Sequence, residues 1–483
     1  MNSFIATWLQ MRFFAAILLV TCLSSAASAS PNFVVILTDD QDDTGSMTYM
    51  PKTLSLVAEH GVTFINSFVN LPLCAPSRAS FLTGQAAHNH GIIDNDGWNK
   101  FRNYEKDALP VWLQEAGYKT ALLGKYINGY KIRKQPKSWS KYWSDFIGEL
   151  VGPSDEATAQ TSMAVPQGWS LWYGSLGGSY YHVRINENGK VLKFGDEPRD
   201  YSTDVLRNRA IRFIKDQAGS TEPFFMLIAT HAPHGQGRDG VKGPAIPAPA
   251  HQHEFMEAEL PRHPAHNKPD VSNERPQKIR GPEWQRGDVK AYRAELQSLQ
   301  SVDELVAGVV DALRDARKLD NTVIIYTSDN GFIYDDPGRE GKDSAYEGSI
   351  RVPLLMRGPG IPEDATRSQL VNNLDVVATI VEFAGAKPDL PLDGRSLVPL
   401  FAERDAAWRG ALLIDGGTFE AVRTDSKAYI RSANGFEELY DLYADPYELE
   451  NKARDPSYAN NLTMLRADYD RLVPCVAASC WMP

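Results

Sequence analysis

The chain has 483 residues, 43% of them hydrophobic and 23% charged, and a formal net charge of −11. That length and apolar content support a large globular core. The acidic balance excludes the broad basic surface a nucleic-acid partner would need, so any anionic ligand must meet positive charge concentrated locally.

In chain order, the first feature is an export signal. Arg12 precedes an apolar run over 13–20 and a small-residue stretch over 24–29, which predicts a signal peptide over 1–29 cleaved after Ala29. The run is too short to span a bilayer, and no second such segment follows, so no stable membrane insertion is expected. The mature chain is expected to be exported, to a periplasmic, extracellular or lumenal space. There are four cysteines. Cys22 leaves with the signal peptide, Cys475 and Cys480 are close enough in sequence to pair into a terminal loop, and Cys74 is left over.

Residues 33–38 form a continuous β-branched apolar run, as in a strand buried on both faces, and Asp39 and Asp40 follow it. The design recurs at 224–230, ahead of His231 and His234, and at 322–328, ahead of Asp329 and Asn330. Helices are predicted at 51–59, 77–83, 109–116, 203–217, about 289–317 and 375–384. Residues 138–172 read as an insertion and 235–287 as a long loop. After Phe401 the texture changes to short alternating segments at 411–414, 421–423, 428–430 and 438–442, a small antiparallel sheet. The alternation predicts an α/β fold: a large, mixed, mostly parallel sheet flanked by helices over 30–400, with a smaller antiparallel-sheet subdomain over 401–483. Ligands of such sheets gather at the carboxyl ends of the strands, where these polar residues fall.

Asp39, Asp40, Asp329 and Asn330 are hard oxygen donors, suited to calcium or magnesium rather than zinc. Capping a turn is the lesser reading of Asp39 and Asp40, lowered by the matching Asp329-Asn330, and the turn that Asn330-Gly331 favours can itself carry a ligand loop. Pro76 and Ser77 can open a helix, which would place residue 74 just ahead of its positive end. Arg78 offers a planar fork for carboxylates.

The run Cys74-Ala75-Pro76-Ser77-Arg78, with Leu82-Thr83-Gly84 after it, fits the Cys-x-Pro-x-Arg signature of the type I sulfatases of the alkaline phosphatase superfamily. The resemblance extends from Pro31 to about residue 400 through the blocks at 31–41, 327–331 and 341–348. It implies that Cys74 is oxidised to formylglycine by a maturation enzyme, which would account for an unpaired cysteine in an exported chain. It further implies that Asp39, Asp40, Asp329 and Asn330, with residue 74, hold one divalent cation, usually calcium, with magnesium the alternative. Lys125 and Lys342 then match the family's sulfate-binding lysines, and His234 the histidine beside the leaving oxygen. Arg78 orients the nucleophile. His231 is a weaker candidate for the same pocket.

One departure stands out. Many arylsulfatases read Gly-Lys-x-His where this chain has Gly124-Lys125-Tyr126-Ile127, so the base for the second half of the cycle is missing from its usual place. The Gly-Lys-Tyr form, the run Ala87-His88-Asn89-His90-Gly91 and the run Ser179-Tyr180-Tyr181-His182 resemble the glucosamine-6-sulfatase and heparan endosulfatase branch. His182 is the candidate replacement. The expected activity is hydrolysis of sulfate monoesters of a sulfated sugar, glycan or aryl alcohol. A phosphonate or phosphate monoester hydrolase of the same superfamily, and a non-catalytic binder of sulfated glycans, are the alternatives. Aromatic residues between Trp139 and Tyr181 could stack on a sugar or pack in the core.

Overall fold

In this computed structural model the described residues are 30–43, 45–130, 165–236, 243–260, 285–334 and 341–481, with the side chains of 285–288 excepted. The expected signal peptide over 1–29, most of the expected insertion over 138–172 and the middle of the expected loop over 235–287 lie outside them.

The strands in chain order are β1 (Asn32–Asp39), β2 (Gly61–Phe64), β3 (Ser67–Phe68), β4 (Lys119–Gly124), β5 (Leu171–Ser175), β6 (Arg184–Glu187), β7 (Lys190–Lys193), β8 (Phe224–Pro233), β9 (Thr322–Ser328), β10 (Leu354–Arg357), β11 (Ala365–Arg367) and β12 (Val371–Asn372), then β13 (Ala411–Asp415), β14 (Phe419–Thr424), β15 (Lys427–Ser432) and β16 (Glu437–Asp441). Ten of them form one sheet in the order β11-β2-β10-β9-β1-β8-β4-β5-β6-β7. Its centre, β9-β1-β8-β4-β5, is parallel throughout, and antiparallel strands are confined to the flanks. β1 shows why the run is apolar without alternation. Phe33, Val35 and Leu37 face one apolar layer and Val34 and Ile36 the other, all of them buried.

Helices cover both faces. Cys74–Thr83, Leu109–Glu115 and Asn373–Ala384 contribute to the first layer, and Ser202–Asp216 and Gln285–Asp315 to the second. The last four strands make a separate antiparallel sheet, β13-β14-β15-β16, one face of which packs on Phe68, Tyr346 and Ile350, and the other on the helix Ala459–Leu472. Cys475 and Cys480 form a disulfide, and Cys74 is a free, buried thiol.

One expectation needs correcting. The helix expected to open at Ser77 begins at Cys74 itself, so residue 74 lies in its first turn rather than ahead of it. Leu73 is extended, and its carbonyl accepts the first helical bond from Ser77 N–H. Pro76 sits within the first turn, where its missing N–H costs nothing.

Candidate active site

Four adjacent parallel strands bring their carboxyl ends to one edge. Asp329 and Asn330 follow β9, Asp39 closes β1, His231 and Pro233 end β8 with His234 next, and Lys125 follows β4. The helix at Cys74 and the segment holding Lys342 meet them there. Cys74 Sγ lies 3.4 Å from Asp39 Oδ1, 3.9 Å from Asp40 Oδ1 and 2.7 Å from Lys342 Nζ. Lys342 also pairs with Asp40, and Lys125 with Asp39. Arg78 donates through Nε to Asp329 Oδ2 at 2.8 Å and through Nη1 to the Lys125 carbonyl at 2.9 Å.

Asp40 is held at φ 69°, a costly conformation for a residue other than glycine. Two bonds fix it: its N–H donates to Asp329 Oδ1 at 3.2 Å, and Asn330 Nδ2 donates to its Oδ1 at 2.7 Å. Behind them Gln41 anchors the turn, taking hydroxyl bonds from Thr38 and Tyr326 and its own N–H bonding Ser328 Oγ. Strain at a strand end, fixed by a buried polar network, is a common mark of a functional site.

Electrostatics set the protonation states. Burial alone would raise Asp39 and Asp40, but the charges of Lys125 and Lys342 respectively, with His234, hold both below the ordinary carboxylate range. Burial pushes the Cys74 thiol up to about 12, so as a plain cysteine it is protonated and a poor nucleophile.

His234 donates through Nδ1 to the Gly235 carbonyl at 2.6 Å, which points Nε2 toward Asp40 Oδ2, 3.5 Å away. His231 is stacked on His234 with ring centroids 5.1 Å apart, and its Nδ1 is 3.9 Å from Asp39 Oδ2. Its two ring nitrogens are buried without a hydrogen-bond partner, and a Cβ on Gly178 would come within 2.7 Å of the ring. Together with Lys125, Gly178 and Ser202 it lines a small pocket.

The structure does not bring His182 to this cluster. Its side chain is 72% exposed, on a turn residue at φ 53°, with Nε2 3.8 Å from the equally exposed Asp196. A sequence neighbourhood of aromatic residues does not translate into proximity in space. Ile127 packs in the apolar layer that also holds Ala75 and Ile92, so residue 127 itself offers no base. The aromatic residues Trp169, Trp172, Tyr173 and Tyr180 are buried, packed as core rather than offered as a sugar platform, while Trp139 and Trp143 lie outside the described residues. The structure does bring His231, the weaker histidine candidate, to the cluster. Its signal was its place at the end of a buried strand.

The residues fit a divalent cation. Three carboxylates, Asp39, Asp40 and Asp329, face three fixed cations, Arg78, Lys125 and Lys342, so the cluster is near neutral without a metal. Asn330 is fully buried, and its Oδ1 has no hydrogen-bond partner. A hard cation would use that oxygen and leave the cluster net positive, as an anionic ester requires.

Residues 31–386 match the family described as Sulfatase, and residues 340–473 the family described as N-sulphoglucosamine sulphohydrolase, C-terminal. Human N-acetylglucosamine-6-sulfatase is 36% identical over 411 residues, covering 81% of this chain and 68% of the human protein. A Caenorhabditis elegans protein, described as a putative extracellular sulfatase Sulf-1 homolog, is 34% identical over 84% of this chain, which spans 55% of the nematode protein. A solved structure described as in complex with its substrate D-glucosamine-2-N,6-O-disulfate superposes with a TM-score of 0.72 at 24% identity, covering 91% of this chain and 97% of that one. At that identity the likeness is one of fold.

Proposed function

The chain belongs to the sulfatase family, and we propose that it hydrolyses sulfate monoesters of a sulfated sugar, an amino sugar by likeness to its relatives, after export and conversion of Cys74 to formylglycine. The observation that carries this reading is the contact of Cys74 Sγ with Asp39, Asp40 and Lys342 at the carboxyl edge of the sheet. A thiol held protonated there is unsuited to attack. An aldehyde hydrate in its place supplies two hydroxyls on one carbon, one to attack sulfur and one to expel the product.

The cation is calcium in this reading, held by Asp39, Asp40, Asp329 and Asn330, and it supplies positive charge at the nucleophile. Lys125 and Lys342 bind the sulfate oxygens. Arg78 fixes Asp329 and leaves Nη2 without a hydrogen-bond partner, directed to the same cluster. With Nδ1 donating to the Gly235 carbonyl, His234 turns Nε2 toward the leaving oxygen and, as the imidazolium, donates to it beside Lys342. His231, with two unpartnered nitrogens against Asp39, takes the base position that Ile127 vacates. The expected domain division, a catalytic part over 30–400 and a subdomain over 401–483, is part of the same proposal. Among the described residues no helix is long and apolar enough to cross a membrane.

The test is a panel of sulfated monosaccharides, oligosaccharides and aryl sulfates run beside phosphate and phosphonate esters, on protein whose residue 74 has been typed by mass spectrometry. Release of sulfate from a sugar by the formylglycine form supports the reading. Faster release of phosphate would replace it with the phosphomonoester alternative, and no release by fully modified protein would favour the binder.

A further inference from the structure

The donors around Cys74 differ from the all-oxygen set of a hard cation. Cys74 Sγ, one carboxylate oxygen each of Asp39 and Asp40, and a ring nitrogen of His234 all lie within 4.8 Å of one another. A thiol, an imidazole and two carboxylates are donors that zinc accepts in tetrahedral array. The spacing approaches that geometry. With bonds of about 2.3 Å to sulfur and about 2.0 Å to oxygen and nitrogen, the edges of such a tetrahedron are roughly 3.5 Å from sulfur to oxygen and roughly 3.3 Å from nitrogen to oxygen. Here Sγ is 3.4 Å from Asp39 Oδ1 and 3.9 Å from Asp40 Oδ1, while His234 Nε2 is 3.5 Å from the other Asp40 oxygen, Oδ2, so the Asp40 carboxylate must turn to offer one oxygen to a shared ion.

Three further observations point to a cation at that spot. Lys342 Nζ donates to both Asp40 Oδ1 and Cys74 Sγ, so the space between thiol and carboxylate already stabilises positive charge. His234 has spent its Nδ1 proton on the Gly235 carbonyl, and the nitrogen left to face Asp40 carries a lone pair unless it is protonated. Asn330, fully buried, bonds Asp40 through Nδ2 and keeps an unpartnered Oδ1.

We propose that the chain whose Cys74 is still a thiol binds one zinc ion through Asp39, Asp40, Cys74 and His234, and that conversion of Cys74 to formylglycine abolishes this site. As the sulfur–zinc bond forms the thiol proton passes to solvent, and Lys342 swings away from Sγ; no oxidant or reductant takes part. Once the sulfur is replaced by oxygen the soft donor is gone, and the remaining donors favour a hard cation. The unprocessed chain is thereby a zinc-loaded form, distinct from the processed one in the metal it prefers. The identity of the modification rests on the sulfatase reading, whereas zinc binding by the thiol form does not.

The experiment uses chain made in cells without the maturation enzyme and freed of residues 1–29, so that Cys22 is gone, with one free thiol per chain and an intact terminal disulfide verified by mass. Cobalt(II) is titrated in and then displaced with zinc. One equivalent should bind with a sulfur-to-cobalt charge-transfer absorption. The band should vanish in Cys74→Ser and in formylglycine-bearing protein, and zinc affinity should fall about tenfold or more in His234→Ala. Folded thiol protein without the band overturns the proposal, as does a His234→Ala variant of unchanged affinity. A band that survives Cys74→Ser also overturns it. Sulfate release by the processed protein is measured separately, so a failure of zinc binding and a failure of the sulfatase reading are told apart.

Discussion

The cluster around Cys74 and the knot around His88 are both buried and both charged, but their hydrogen bonds are arranged differently. At the knot every group closes. His88 donates through Nδ1 to Asp415 at 2.9 Å and through Nε2 to the Cys475 carbonyl at 2.9 Å. Asn89 donates to the same carbonyl and to Asp393, which also takes the N–H groups of Ala86 and Ala477. Neighbouring His90 is equally spent, with Ser80 on one nitrogen and the Ile92 N–H on the other. At the Cys74 cluster, Arg78 Nη2, Asn330 Oδ1 and both nitrogens of His231 have no hydrogen-bond partner. Buried polar groups left open cost stability and are kept where a ligand closes them. The contrast separates a site from a structural joint more sharply than residue type does, since both regions are built from histidine, aspartate and cysteine.

Substitutions test that division. Cys74→Ala should lower turnover by about 10⁴-fold or more while the melting transition stays near that of the parent, because the nucleophile is lost and the buried ion pairs remain. Retained sulfate release would end the formylglycine reading. Arg78→Ala should affect both properties: it leaves Asp329 buried without its fixed cation, while Asp39 keeps Lys125, a loss of about 3–5 kcal/mol in urea unfolding. Stability unchanged by this variant would show that water or metal already compensates those carboxylates. His231→Ala should cost about a hundredfold or more in kcat, and His182→Ala very little, measured in one assay with one substrate. The reverse order would return the base role to His182, despite its exposure.

Much of this was legible in the chain. The strand at 322–328 was read to the residue, and those at 33–38 and 224–230 to within one to three residues at each end, because buried parallel strands are continuous β-branched runs bounded by polar residues. The acids at two of those strand ends stood out for the same reason. The start of the helix at Cys74 was not legible, since Pro76 is tolerated anywhere in a first turn and the bond from Ser77 to Leu73 leaves no mark in composition. His231 and His182 could not be ranked from sequence. What separates them is burial against Gly178 and Tyr180, contacts between segments about fifty residues apart. The run Ala87-His88-Asn89-His90-Gly91 resembles a branch of the family, yet its partners are Asp393, Asp415 and Cys475, more than 300 residues away. Local patterns carry periodicity and caps, and they do not carry such docking.

The knot makes the smallest prediction and the one that isolates it from the site. Burial alone would lower the His88 pKa, but the hydrogen bond and charge of Asp415, the Cys475 carbonyl and the charge of Asp393 outweigh it and raise the ring to about 8. Both ring nitrogens face acceptors, so the bonded form is the imidazolium. A histidine raised above its unfolded value contributes stability that is complete below about pH 6.5 and lost as pH rises through about 8. After allowance for solvent screening of a partly exposed ring the contribution is about 1 kcal/mol. His90 does not confuse the window, because burial lowers it to about 4. Urea midpoints for the parent and His88→Gln, taken from pH 6 to 9, should therefore differ most at the acid end and converge at the alkaline end. Hydrogen exchange at residues 475–480 should quicken over the same range. A difference independent of pH would make His88 a packing residue, and a loss of turnover in His88→Gln at pH 6 would mean that joint and site are coupled after all.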